Sequence, residues 1–365
     1  MIVYYIELYK DGMHMKKPSS QTGVKEIAKR GNVSIATVDR VIHNRPGVSA
    51  KTKAKIEAII KELNYQPNVL ASRLSSGKVF HLAVIIPKTS IHSDFWEAPL
   101  KGIAKAESEI RQYGVTVENY LFDLTNKASF IQATEEIKGK NIDGVLLSPS
   151  FVKEADDFFL YCQANKIPVV CIDSNIEAQG SLSYIGPPLL ESGYVGASLC
   201  KLGISKTPEI LIVNIAKQKK SFNLTQIEAG FKMFFSKPPN QATCINLNIQ
   251  DIDQESVELF LHKAFMKNPD IEAIFVTNSR VFAVAEYLEK RDLAHIMLVG
   301  YDFLKENQKH LEKGTINFLI CHKPEEQGYK GIMSLYHSLA LNLPVEKLYY
   351  MPIDIVTKEN QEFYR

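Results

Sequence analysis

From His81 onward the chain repeats one pattern: a short run of branched apolar residues, then a stretch with helical spacing. The runs are LAVIIP, VTVENYLF, GVLLSP and IPVVCID, then EILIVNI, CINLNI, AIFVTN and IMLVGYD. Between or after them, Pro99 to Tyr113, Ser129 to Lys138, Ala155 to Asn165, Leu190 to Leu202, Ile227 to Phe235, Glu255 to Lys267 and Val281 to Lys290 carry apolar residues at helical intervals. Strands that alternate with helices pair in parallel and are covered by those helices. Roughly ten strands exceed one comfortable sheet, so the pattern predicts two doubly wound α/β lobes with a cleft between them. Ligands of such sheets sit at the carboxyl ends of the strands.

The segment before this core reads differently. In VKEIAKRG, Val24, Ile27 and Ala28 fall on one face of a short helix, and Gly31-Asn32 ends it with residues that enter left-handed geometry at little cost. Ser34 caps a second helix, Ile35 to Ile42, whose face is Val38, Val41 and Ile42. A third runs from Ala50 to Leu63 behind the cap Ser49, with Ile56, Ile59, Ile60 and Leu63 apolar. Two helices separated by about four residues form a helix-turn-helix. Its second helix fits the major groove of B-DNA and presents its first turns to base edges. The third helix closes a small all-α core.

Charge separates the same two regions. The chain of 365 residues carries +2 overall, but residues 16 to 78 hold thirteen Lys/Arg against four Asp/Glu, and the remainder from Val79 is mildly acidic. A basic module on an acidic body is the asymmetry expected when one end meets phosphate; a solvated basic helix pair is the bland alternative. Five cysteines, Cys162, Cys171, Cys200, Cys244 and Cys321, show no CxxC spacing and read as buried thiols in a reducing compartment. No run reaches the ~20 apolar residues of a membrane span. Glu7, Lys10 and Asp11 interrupt the apolar start, so it does not read as an export signal, and Met13 or Met15 are alternative starts.

The segment from Ile27 to Lys78 then meets a family. Its turn, the VSIATVDRV helix, the NRPGVS connection and the NYQPNVLA lead-in together resemble the DNA-binding headpiece and hinge of the lac-repressor family. The resemblance implies base-edge contacts from Ile35, Ala36 and Arg40, with Arg40 placed for a bidentate contact to guanine and the two apolar residues for thymine methyls or shape. It implies phosphate contacts from Ser34, Thr37 and Asn44. Asp39 departs from the family's small polar residue and is expected to turn toward Arg40 or Lys25. Residues 67 to 76 are expected to form a hinge helix only when two copies meet over the minor groove. Leu74 of that helix would wedge between central base pairs, with Asn68, Ala71 and Arg73 beside it; the bland alternative packs Leu74 against the core.

From His81 the chain resembles the sugar-binding class of periplasmic binding proteins, as the cores of this repressor family do. The landmarks are HLAVIIP, Phe95-Trp96, SPS at 148 to 150, CIDSN, LVGYD and HKPEEQGYKG. Aromatic rings stack on the apolar face of a sugar, and strand-end carboxylates and amides take its hydroxyls. The cleft candidates are therefore Phe95, Trp96, Asp173, Asn278, Asp302 and His322, then Asp94 and Ser150, each of which has an ordinary packing or capping role as its alternative. Ile227 stands where the family commonly has an arginine that clasps ligand hydroxyls, Asn278-Ser279 replaces Asn-Asp, His322 replaces Gln, and Pro187-Pro188 replaces a polar pair. These departures open the way to a less polar or modified ligand.

The expected fold is thus a class I periplasmic-binding-protein-like core of two doubly wound α/β lobes, preceded by a helix-turn-helix headpiece. The domains are 1–20, a disordered extension; 21–66, the headpiece; 67–78, the hinge; and 79–365, the ligand-binding and dimerisation core. The expected function is a cytoplasmic homodimeric repressor that binds a near-palindromic operator in double-stranded DNA under control of a sugar-like small molecule. Alternatives are the same regulator sensing a purine or other metabolite, and a solute-binding transport receptor. The sequence carries no HExxH, GxSxG, Walker or GxGxxG motif and no metal-ligand spacing, so neither catalysis, a cofactor, a metal nor a membrane is expected.

Overall fold

The computed structural model describes residues 23–42, 45–63, 65, 78–90, 94–175, 180–205, 208–217, 221–236 and 238–364. Two compact units divide between Ser72 and Arg73.

In the first unit, α1 (Val24–Gly31), α2 (Ile35–Ile42) and α3 (Ala50–Glu62) enclose a core of Ile27, Ala28, Val38, Val41, Ile56 and Ile59. Asn32 ends α1 in the left-handed region at φ 50°. Ser34 Oγ accepts from the Thr37 N–H at 3.1 Å and Ser49 Oγ from the Thr52 N–H at 3.2 Å, so α2 and α3 start where side-chain oxygens satisfy otherwise orphan donors.

The second unit holds two six-stranded sheets. The first joins β1 (Phe80–Pro87), β2 (Val115–Phe122), β3 (Gly144–Leu147), β4 (Val169–Ile172), β5 (Ser183–Gly186) and β11 (Leu348–Tyr350) in the order β11-β5-β4-β3-β1-β2, all parallel. The second joins β6 (Glu209–Ile215), β7 (Thr243–Ile249), β8 (Ile271–Val276), β9 (Met297–Tyr301), β10 (Phe318–Cys321) and β12 (Asp354–Val356) in the order β12-β10-β9-β8-β6-β7, with β12 antiparallel at the edge. The central strands are buried on both faces, which is why they read as continuous apolar runs rather than alternating ones, whereas the edge strands β2 and β7 keep exposed positions.

Helices α4 (Glu97–Ile110), α5 (Lys127–Glu135) and α6 (Val152–Ala164) flank the first sheet, and α7 (Leu189–Cys200), α8 (Phe222–Phe235), α9 (Gln254–Lys267), α10 (Val281–Lys290) and α11 (Lys305–Lys313) flank the second. The chain crosses between lobes three times. It enters the second lobe after β5, returns through α12 (Pro324–Leu341), whose Ile332, Leu335 and Tyr336 pack on the first sheet, and passes from β11 to β12. Each lobe contains one helix pair that touches through glycine. A Cβ on Gly102 of α4 would lie 1.8 Å from the Glu325 carbonyl oxygen of α12, and one on Gly193 of α7 would lie 1.9 Å from the Ile227 carbonyl oxygen of α8. Only hydrogen fits at these crossings.

Two differences from the sequence reading matter below. Helix α8 begins at Phe222, five residues before the expected Ile227, because its first turn is only partly buried and contributes no core periodicity. Helix α11 carries no apolar periodicity in the sequence, because its buried face is Asn307, His310 and Leu311, of which one residue is aliphatic.

Candidate functional site

Two surfaces collect the candidate residues. On the headpiece, Ile35, Ala36 and Arg40 are exposed on α2 while Val38 and Val41 turn inward. Ile35 is 50% exposed, an aliphatic side chain left in water at the head of a helix. Ser34 and Thr37 share a hydroxyl contact of 2.9 Å at the same end. Asp39 does not follow expectation: it accepts from Arg45 Nη1 at 3.1 Å. The Arg45 N–H closes on the Arg40 carbonyl at 2.8 Å, which folds the chain back past the helix end and brings Arg45 alongside. Asn44, Asn68, Ala71, Arg73 and Leu74 lie outside the described residues.

In the second unit a cleft of about 720 Å³ opens between the carboxyl ends of the two sheets. Phe95, Trp96, Ser150, Asp173, Asn278, Asp302 and His322 all line it, as do Pro187 and Ile227. Asp94 instead lines a neighbouring depression of about 1110 Å³ that shares Phe95 and Asp302 with the cleft. Phe95 and Trp96 stand edge to face with centroids 5.2 Å apart, and Trp96 is also packed into the first lobe's core.

Asp173 and Asp302 follow β4 and β9 directly, both in the left-handed region at φ 65° and 70°. Such a conformation is sparse for a side-chain-bearing residue, and two of them at matching strand ends place carboxyls from both lobes in one cleft. Burial raises the Asp173 carboxyl to about 6, against the opposing effect of hydrogen bonds from Asn223 and Ser174. Burial, with the Asp173 charge added, raises Asp302 to about 8. Like charges sharing a poorly solvated space disfavour double ionisation.

His322, after β10, is buried and held neutral, with its pKa lowered to about 4 by burial. Its Nε2 lies 2.8 Å from Ser192 Oγ, which is 3.1 Å from Tyr301 Oη. Asn278 has already committed part of its amide: Nδ2 donates to the Ile215 carbonyl at 2.8 Å and Oδ1 accepts from the Arg280 N–H at 3.2 Å. It therefore shapes the loop after β8 as well as lining the cleft.

Four polar residues that the sequence did not single out hold this geometry. Gln327 on α12 accepts from the Asp173 N–H at 3.0 Å and donates to the His322 carbonyl at 2.8 Å, joining strand ends of opposite lobes. Asn223, in the first turn of α8, donates to Asp173 Oδ2 at 3.0 Å and accepts from Ser174 Oγ at 2.7 Å. Asn307, fully buried, donates to the Asp302 carbonyl at 2.8 Å and the Ser279 carbonyl at 3.0 Å and accepts from the Phe282 N–H at 3.0 Å, binding the loops after β8 and β9 into one piece. Arg280 lines the cleft beside Asn278, and burial lowers its pKa. Its position two residues beyond a strand-end landmark was the signal available in the sequence.

Among the described residues no group of three potential metal ligands clusters, and no helix is long and apolar enough to cross a membrane. A helix-turn-helix followed by a two-lobed core whose cleft offers aromatic faces, carboxyls and amides defines a ligand-responsive DNA-binding regulator. Residues 83–341 match the family described as periplasmic binding protein domain, and residues 23–68 match that of bacterial regulatory proteins, lacI family. The transcriptional regulator MalR of Streptococcus pneumoniae is 26% identical over 287 residues, 74% of this chain and 80% of that protein. RegA of Clostridium acetobutylicum, also a transcriptional regulator, is 31% identical over 151 residues, covering 41% of this chain and 43% of RegA, less than half its length. The crystal structure of a LacI transcriptional regulator from Bacteroides fragilis superposes with a TM-score of 0.71 at 28% identity, covering 79% of this chain and all of that one. The chain belongs to the lacI family of bacterial regulatory proteins, with a periplasmic binding protein domain as its core.

Proposed function

We propose that the chain is a homodimeric transcriptional repressor that binds a near-palindromic operator and releases or tightens on it when a sugar-like molecule occupies the cleft. The observation that carries this is the pairing, in one chain, of an exposed recognition helix that carries Ile35 in its first turn and Arg40 in its last with a cleft lined by Phe95, Trp96, Asp173 and Asp302. Ile35, Ala36 and Arg40 read base edges; Ser34, Thr37 and Asn44 hold phosphates; Asn68, Ala71, Arg73 and Leu74 belong to a hinge over the minor groove. Phe95, Trp96, Ser150, Asp173, Asn278, Asp302 and His322 hold the effector. Domains fall at 1–20, 21–66, 67–78 and 79–365. The function is regulatory rather than enzymatic, and the site of action is the cytoplasm, where operator DNA is found.

Because ligand and DNA act on one chain, their coupling is reciprocal: whatever effector does to operator affinity, operator does to effector affinity by the same factor. Selection from a random DNA library at stated salt, repeated with Leu74→Ala and Arg40→Ala, tests the DNA half. A near-palindromic site weakened by both changes supports it, and sequence-independent binding alone sinks it. A second reading, a non-sugar metabolite as effector, is favoured by Ile227 and Pro187, which add apolar surface to the cleft. Melting-temperature shifts with a metabolite panel separate the two, since a ligand that binds only the native state raises the midpoint.

A further inference from the structure

Arg280 occupies the N-cap position of α10, where no side chain caps the helix, and its side chain lines the cleft. Among the described residues its guanidinium makes no hydrogen bond or ion pair. It is not the counter-ion of either cleft aspartate: burial alone shifts Arg280, while Asp302 responds to burial and Asp173. The other cations of the cleft are differently placed, since Lys88 pairs with Asp123 at 3.4 Å and Lys217 is exposed. A half-buried guanidinium that lines the cleft with five donors in a plane and no protein acceptor is the strongest place there for an anionic group of a ligand. Ile227, where the resemblance leads one to expect an arginine, adds only apolar surface, and the guanidinium lining this cleft is Arg280 on another wall.

The cleft is thus divided into an acceptor side, Asp173 and Asp302, suited to hydroxyls, and a donor side, Arg280 at a helix N-terminus, suited to an anion. We propose, resting on the sensor function given above, that the effector is a sugar acid: a polyhydroxylated molecule whose carboxylate is clasped by Arg280 while its hydroxyls meet Asp173 and Asp302. Carboxylate is favoured over phosphate because one guanidinium balances one charge, whereas a dianion would leave a second negative charge unpaired in a cleft that already disfavours ionisation of its own carboxyls.

The test uses the full chain, with thermal-shift and calorimetric titrations of matched probes: D-galactose and D-galacturonate, D-glucose, D-glucuronate, D-gluconate and D-glucose 6-phosphate. At least one acid is expected to bind about 10- to 100-fold more tightly than its neutral parent, the size of one charge-assisted hydrogen-bonded contact. Arg280→Gln should erase that difference, and Arg280→Lys should restore part of it. Neutral sugars binding as well as their acids, or a preference that survives Arg280→Gln, overturns the assignment while leaving the sensor function standing. A sugar phosphate that outbinds every acid through Arg280 replaces the carboxylate by a phosphate. If no probe shifts the melting of a chain with native circular dichroism, the sugar-sensing function fails together with the inference.

Discussion

Asn223 and Asp173 sit on opposite lobes and are joined across the cleft by a hydrogen bond of 3.0 Å from the amide to the carboxylate. Ser174 closes a second bond to the same amide at 2.7 Å, so one side chain in the first turn of α8 holds the first lobe through both neighbouring residues. This pair ties the two lobes together at the mouth of β4.

Asn223→Ala is expected to open the lobes and lower effector affinity about 5- to 30-fold, the loss of ~1–2 kcal/mol of hydrogen bonding. The melting temperature without effector should fall only slightly, because both partners regain water. Small-angle scattering of the free chain, together with calorimetry, checks this: an unchanged radius of gyration and unchanged affinity would remove Asn223 from the closure mechanism.

Stability should decline from pH 5 to pH 9. Asp302 and Asp173 have folded-state pKa values raised by burial to about 8 and about 6, so the native state binds protons that the unfolded chain has already lost. Their contribution is whole below about pH 4, the unfolded carboxylate value, and disappears as pH rises through the raised values. The slope is at most about 1.4 kcal/mol per pH unit for each proton retained. Asp302→Asn should flatten the decline above pH 6; a parallel decline in the variant would show that other groups cause it.

Glu289 behaves in the opposite sense. Burial pushes it up, but Lys313, His310 and Thr315, bonded at 2.8, 2.6 and 2.8 Å, outweigh burial and lower it to about 2. The stability it supplies is present above about pH 4.5 and is lost as pH falls through its folded value. Glu289→Gln should cost about 1–3 kcal/mol at pH 7 and progressively less toward pH 2, measured by urea unfolding across that range.

Gly193→Ala should destabilise the second lobe by more than about 2 kcal/mol, since its Cβ would overlap the Ile227 carbonyl of α8 at 1.9 Å and the helices must separate. Because Asn223 rides on α8, the same substitution should also weaken effector binding. Chemical unfolding and calorimetry on one preparation report both effects, and a variant of native stability would show that the two helices separate freely.

Ile35→Ala should leave headpiece folding intact, since the side chain is half in water, yet reduce operator affinity about 3- to 10-fold at positions bearing thymine. Gel-shift titrations at fixed salt against sites with thymine replaced by uracil, which lacks the methyl, identify the contact. Equal losses on both sites would place Ile35 away from the methyl group.

The sequence by itself determined the two-region plan, the three headpiece helices and most strands of the core, because apolar periodicity and capping residues record which face of each local element is buried. It also marked seven residues that line the cleft, most of them in the loops that follow strands, where the sheet geometry directs ligands. The first turn of α8 and the polar core face of α11 left no such record: Asn223 meets the opposite lobe and Asn307 meets loops, so neither adds to an apolar repeat. Tertiary structure alone decided that Asp173 would meet Asn223, 50 residues away, and Gln327, 154 residues away. It alone decided that Arg280 would stand in the cleft, on a different wall from Ile227. Those relationships depend on three crossings between lobes, and a crossing fixes distances between loops without imposing any repeat on the residues that form them.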